Sequence, residues 1–210
     1  TSLINIEGVN EMEMQLKIEN AEIGKLEEYL ARKTSELEDY STITDSPDLN
    51  SVMEAKLSYY RNIQGENDLT GKGVIIEIRD SDKLVKPGEN PNDFLVHDQD
   101  LLRIINDLKI SGAEAISING QRYMSFSEIK CSGPTVTING KTYGQPFVIK
   151  AIGDPANLEA AIKSIDSYSY MLNSIYGIKI DVRTSESVVI TRYWRSKQYN
   201  YLKKIVEDTE

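Results

Sequence analysis

The chain has 210 residues, 40% hydrophobic and 27% charged, which suits one ordinary domain with a real core plus an appendage. Asp and Glu number 33 against 24 Lys and Arg, a net charge of −9, and such an acidic surface is a poor match for phosphate backbones, so nucleic acid is not an expected partner. The single cysteine, Cys131, excludes an internal disulfide and a cysteine-based zinc cluster, and no apolar run approaches the ~18–20 residues that cross a bilayer.

Residues 1–64 predict a helical stalk. Val9, Leu16, Ile23, Leu30 and Leu37 recur every seventh position, with Met12, Leu26 and Tyr40 in the companion row and Glu19 and Lys33 interrupting that row. A short coiled coil follows, expected as a weak, concentration-dependent, parallel homodimer. A helix that packs the stripe on its own domain is the alternative. TDSPDL at 44–49 breaks this helix, and Met53, Lys56, Leu57, Tyr60 and Ile63 give a second helical stripe that ends near Gly65. The chain opens on Thr1 rather than Met and shows no signal peptide, so it is expected to be a fragment whose upstream segment is cleaved or left out.

Residues 70–192 predict an α+β domain. KGVIIEIRDSD is a strand by its β-branched density, and KPGENPND at 86–93 is a loop. Asp98 and Asp100 open a helix that buries Leu101, Leu102, Ile104, Ile105 and Leu108 and stops at Gly112. The strand AEAISI follows, and then one phrase is written twice: ISINGQRY at 116–123 and VTINGKTY at 136–143. Asn-Gly between alternating runs is a strong hairpin signal, because a type I′ turn needs positive φ at both central residues. Asn119-Gly120 and Asn139-Gly140 are therefore expected to close two successive hairpins of one sheet, linked by Cys131-Ser132-Gly133-Pro134.

GQPFVIKAIGDP is the next strand, and Pro155 starts a helix expected to run to Gly177, with Leu158, Ala161, Ile162, Ile165, Tyr168 and Leu172 on one face. IKIDVR and SVVITR are expected to pair across TSES as a last hairpin. Residues 193–210 predict a closing amphipathic helix with Trp194, Tyr201, Leu202 and Ile205 on the core. Strand–helix–strand early and again late suggests a ferredoxin-like sandwich with a mostly antiparallel sheet.

The run from Asn106 to Ile162, with GVIIEIRDS at 73–81, HDQDLLRIINDL at 97–108, GAEAISINGQR at 112–122, IKCSGP at 129–134 and FVIKAIGDP at 147–155, resembles a bacterial family catalogued as domain of unknown function 881. The resemblance spans about residues 70–190. It implies an N-terminal membrane anchor, a helical stalk and a domain outside the cell membrane, mostly in Gram-positive bacteria, from genes often beside those for division and envelope growth. The family carries no assigned enzymatic activity that the resemblance could bring over. Members of that family usually end soon after the last hairpin, so the aromatic-basic tail from Tyr193 departs from the pattern.

His97 is the only histidine, and with Asp80, Asp98 and Asp100 it could form a carboxylate–imidazole cluster for a ligand, a metal or acid/base work. The simpler account is that Asp98 and Asp100 cap a helix and complement its dipole. Cys131 reads as a small buried hydrophobe with no activating base in view, and Asp154 as a helix cap. The tail reverses the local charge: Arg192, Arg195 and Lys197 interleave with Trp194 and Tyr199, a pattern suited to a glycan, an anionic lipid surface or an acidic partner. Expected, then, is a non-enzymatic, extracytoplasmic interaction or scaffold module without a cofactor, with envelope or division proteins as partners. A small-ligand sensor and a metal-dependent hydrolase centred on His97 are the alternatives.

Overall fold

The computed structural model describes the backbone at residues 6–42, 48–195 and 200–202, and the side chains of the first helix only at 14, 16–17 and 19–35. The chain divides into two compact units, Thr1–Ser58 and Tyr59–Glu210. The first holds α1 (Ile6–Thr42) and most of α2 (Asp48–Ile63). On α1, Leu16, Ile23, Leu26 and Leu30 all expose half or more of their surface, as do Met53 and, nearly, Leu57 on α2. The side chains of Val9, Met12, Leu37 and Tyr40 lie outside the described residues. No helix among the described residues is long and apolar enough to cross a membrane.

The second unit is built on β1 (Leu69–Arg79), α3 (Asp98–Ile110), β2 (Ala115–Ile118), β3 (Gln121–Tyr123), β4 (Ile129–Ser132), β5 (Thr135–Ile138), β6 (Lys141–Tyr143), β7 (Phe147–Ile152), α4 (Pro155–Lys163), α5 (Tyr168–Met171) and β8 (Lys179–Ile190). A five-stranded sheet runs in the order β3-β2-β7-β1-β8, with every neighbouring pair antiparallel. Set β3 aside, and β1-α3-β2-β7-α4-β8 has the connectivity and strand order of a ferredoxin-like α+β sandwich, as expected. β3 extends its edge, and β4-β5-β6 form a separate three-stranded sheet inserted between β2 and β7.

Alternation along the strands separates two apolar layers. Val74, Ile76, Ile78, Ile116, Ile118 and Ile149 meet Leu101, Ile104, Ile105 and Leu108 of α3 and Leu158 and Ile162 of α4 in the main core. Val136 and Ile138 of the small sheet join the same core. On the opposite face, Ala115, Ile152, Val188 and Ile190 make a second, smaller cluster with Leu69 and Ile75.

The doubled phrase folds as a doubled structure. Ile116↔Tyr123, Ser117↔Arg122 and Ile118↔Gln121 pair in the first copy, and Val136↔Tyr143, Thr137↔Thr142 and Ile138↔Lys141 in the second. φ is 47° at Asn119, 76° at Gly120, 51° at Asn139 and 77° at Gly140, so both turns occupy the left-handed region throughout. The two hairpins nevertheless belong to different sheets, because Cys131 and Ser132 of the expected link are part of a strand, β4, which turns into β5 at Gly133 and Pro134. Each turn asparagine also pairs with a neighbouring chain. Asn119 exchanges hydrogen bonds with the backbone of Val148 at 2.8 and 2.9 Å, and buried Asn139 does so with Glu128 at 2.9 and 3.3 Å. Gly120→Val and Gly140→Val should each cost more than about 1 kcal/mol in chemical denaturation, because a β-branched residue is barred from left-handed φ.

Three expected elements differ. IKIDVR and SVVITR are not a hairpin but one continuous strand, β8, paired along β1. TSES holds no glycine, asparagine or proline to reverse the chain, and the 11-residue β1 offers a partner for the whole length. A bulge absorbs the slack: Gly71 faces Val188 and Gly73 faces Ser185, while Lys72 meets Glu186 at 2.9 Å. The helix from Pro155 stops at Lys163, because Ser167 accepts from Tyr170 N and caps a new short helix. Ile165, in the break, is exposed rather than buried. Finally, the tail is not helical at 193–195 or 200–202, and Tyr201 and Leu202 are exposed rather than in a core. Ile205 lies outside the described residues.

Candidate functional site

The head of α3 gathers three of the four candidate site residues. His97 is the N-cap, with φ −109° and ψ 163°. Its N–H donates to Asp100 Oδ2 at 2.7 Å, and the other carboxylate oxygen of buried Asp100 accepts from the Tyr168 hydroxyl at 2.7 Å. Asp98 accepts from Gln99 N at 2.8 Å and from Cys131 N at 2.8 Å, while Asp98 N donates to Cys131 Sγ at 3.2 Å. Asp98 and Asp100 thus cap and brace α3, as the simpler account expected. Asp80 stands apart. It accepts from Val96 N at 2.8 Å, and it lines a cleft of about 550 Å³ with Arg79, Asp82 and Lys179 that does not include His97. Among the described residues, no three acidic, histidine or cysteine side chains are placed to hold a metal ion.

Cys131 is half-buried, not fully buried, and its Sγ lies 3.8 Å from His97 Nδ1, with His97 Nε2 2.8 Å from Asn92 O. A thiol beside an imidazole is the arrangement of a nucleophile and its base. The electrostatics oppose that use. Burial, and then the side-chain contact with Asp98 and the charges of Asp98 and Asp100, push the thiol pKa up, although the Asp98 N–H donates to Sγ, which opposes the rise. Burial works to raise Asp98 as well, but the donors from Cys131 and Gln99 and the nearby His97 outweigh it and leave its pKa lowered.

Tyr168 is pushed up to about 12 by burial first and then by its hydrogen bond to Asp100. Its contribution is therefore complete below the unfolded phenol's pKa of about 10 and is lost as pH rises from there towards the folded value. In Tyr168→Phe that loss disappears, so the stability gap between parent and variant should close across this window in denaturation curves. A gap that stays constant with pH would contradict the assignment.

A second locus lies where the chain leaves β8. Thr191 Oγ1 donates to Gly120 O at 3.2 Å, Arg192 N to Asp68 Oδ1 at 2.7 Å and Tyr193 N to Gly65 O at 2.7 Å. Tyr193 meets Phe126 edge to face at 5.2 Å, and Trp194 is flanked by the Arg195 guanidinium at 4.3 Å and Lys141 Nζ at 5.4 Å. Arg195 also lies against the second turn: a Cβ at Gly140 would stand 3.0 Å from its Nη2. The C-terminal segment thus touches both Asn-Gly turns. With Ile63, Gly65, Met124 and Phe126 it bounds a cleft of about 830 Å³. Arg192, Trp194 and Arg195 are placed at this cleft, with Trp194 half-exposed. Lys197 and Tyr199 lie outside the described residues. Sequence reasoning missed Met124, Phe126 and Lys141. It also missed Arg122, whose buried guanidinium has only Asn62 O at 3.3 Å and leaves Nε and Nη1 unpartnered. ISINGQRY and VTINGKTY carried the only signal, since their equivalent positions Gln121 and Lys141 both follow a turn that the tail crosses.

Residues 56–203 match the profile of a bacterial protein family of unknown function, DUF881. UPF0749 protein YlxW of Bacillus subtilis is 43% identical over 96 residues, 46% of this chain and 41% of its own length. UPF0749 protein YlxX of the same organism is 30% identical over 148 residues, 68% of this chain and 57% of its own. UPF0749 protein Rv1825 of Mycobacterium tuberculosis is 28% identical over 166 residues, 77% of this chain and 52% of its own. The chain therefore spans only about half the length of these relatives. A crystal structure of an uncharacterized conserved protein from Mycobacterium tuberculosis superposes with a TM-score of 0.57 at 26% identity, covering 71% of this chain and 99% of that one. With the profile matched over more than half its length, this chain belongs to the bacterial DUF881 family.

Proposed function

We propose that the chain is a non-enzymatic, extracytoplasmic interaction module of a membrane-anchored protein, serving envelope growth or division. The observation that carries the non-enzymatic part is the head of α3: both oxygens of Asp98 and of Asp100 accept hydrogen bonds from backbone amides or the Tyr168 hydroxyl. Groups so engaged hold a helix in place, which is a structural task for both carboxylates beside His97. The family resemblance supports the anchor, the stalk and the setting. Two surfaces suit binding: the aromatic-basic cleft at Trp194, and the exposed seam of α1, which serves self-association.

The test is a photo-crosslinking residue placed at Trp194 in the intact protein in its own cells, with a matched probe at exposed Glu114. Envelope or division proteins crosslinked only from the Trp194 position are the expected result. Metal-dependent hydrolysis of ester or phosphoester probes by the purified protein, abolished by His97→Ala, would overturn the proposal in favour of the hydrolase.

A further inference from the structure

We propose that α1 self-associates antiparallel, with the two interruptions of its seam forming two symmetric Glu19–Lys33 pairs between the copies. The inference rests on self-association through α1, proposed above, and replaces the parallel direction expected from the heptad pattern. The starts of the two helices then lie about 55 Å apart, a distance that the segments leading to the two anchors have to span. Leu16, Ile23 and Leu30 form one row of the seam and Leu26 the other, and all four are exposed on the described helix. Glu19 and Lys33 occupy the second row, seven residues either side of Leu26.

Direction follows from what those charges meet. In a parallel, in-register dimer each row faces its own copy. Glu19 then faces Glu19 and Lys33 faces Lys33 inside the seam, and Glu22 flanks Glu27 of the second helix. All three contacts join like charges, and the first two are partly withdrawn from water. Reversing one helix sets each row against the other row. Taking Ile23 opposite Leu26 fixes the register: Leu16 faces Lys33, and Glu19 faces Leu30. Lys33 is then only three residues along the axis from Glu19, about 4.5 Å, within reach of a salt bridge. The two-fold axis repeats that pair at the other end. Glu22 moves beside Tyr29 and Glu27 beside Asn20, so the like-charge contacts at the flanks vanish as well. One reversal thus turns every like-charge contact of the described seam into an attractive or neutral one.

The experiment uses the full chain carrying Cys131→Ala, so that only introduced thiols react, with folding checked by circular dichroism. Leu16→Cys and Lys33→Cys are oxidised separately and as a mixture. The antiparallel pair should give a mixed disulfide and little self-linked Leu16→Cys, since those two positions lie about 25 Å apart. Sedimentation of charge reversals is the second arm. Glu19→Lys or Lys33→Glu alone should weaken self-association about fivefold or more, and the double reversal should restore it. Efficient self-linking of Leu16→Cys, or single reversals without effect in a protein that still dimerises, would overturn the antiparallel arrangement alone. A monomer up to ~100 µM would overturn self-association itself, and the direction with it.

Discussion

Gly73→Ala should be among the most damaging single substitutions in the domain, costing about 3 kcal/mol or more and lowering the melting temperature by about 10 °C. Gly73 lies in β1 opposite Ile152 of β7, at the foot of the bulge against β8. A Cβ there would stand 1.9 Å from Ala151 O and 2.9 Å from Ala151 C. Both are backbone atoms of a central strand, so relief requires moving β7 out of register with β1. No flexible side chain can yield instead, unlike at Gly65, where the contact is the thioether of Met124. Thermal denaturation of the alanine variant checks this, and a melting temperature within 2–3 °C of the parent would contradict the close strand approach.

Asp100→Ala should cost about 2–4 kcal/mol. The substitution strands two donors at once, the Tyr168 hydroxyl and the His97 N–H, in a place where Asp100 is only 7% exposed. It also removes a negative charge from the first turn of α3, where the helix dipole favours one. Asp98→Ala should cost less, about 1 kcal/mol, because Asp98 is only half-buried and water can replace it. Denaturant titration followed by Trp194 fluorescence measures both, and the order Asp100 above Asp98 is the decisive outcome. Equal losses would show that the link from α3 through Asp98 to β4 matters as much as the link to Tyr168.

Local chemistry was legible in the sequence, and pairing between distant segments was not. Asn119-Gly120 and Asn139-Gly140 announced their turns because only a few residues tolerate φ near 50–77° at consecutive positions. Leu101, Ile104, Ile105 and Leu108 announced the buried side of α3 by their spacing. The order of elements was enough for the ferredoxin-like class. TSES misled because β8 is straightened by a partner more than a hundred residues earlier, and no local pattern encodes that. Cys131 and His97 meet at a separation of 34 residues, where α3 abuts β4. The cleft at Trp194 needs α2, the loop after β3 and the segment after β8 together. The basic and aromatic residues that the segment after β8 contributes were visible, whereas Met124 and Phe126 opposite them were not.

The pairing of Leu69 with Ile190 puts the start of β1 and the end of β8 side by side at one end of their ladder. Tension applied between the segment ahead of Leu69 and a partner gripping Trp194 would then peel those two strands apart like a zipper, rather than slide them past each other. In peeling, the bonds carry the load one after another, and the first are Tyr193 N to Gly65 O and Arg192 N to Asp68. A tethered domain loaded this way yields at low force at its exit while α3, α4 and the core behind them stay folded. Under strain, the cleft at Trp194 would let go before the domain unravels.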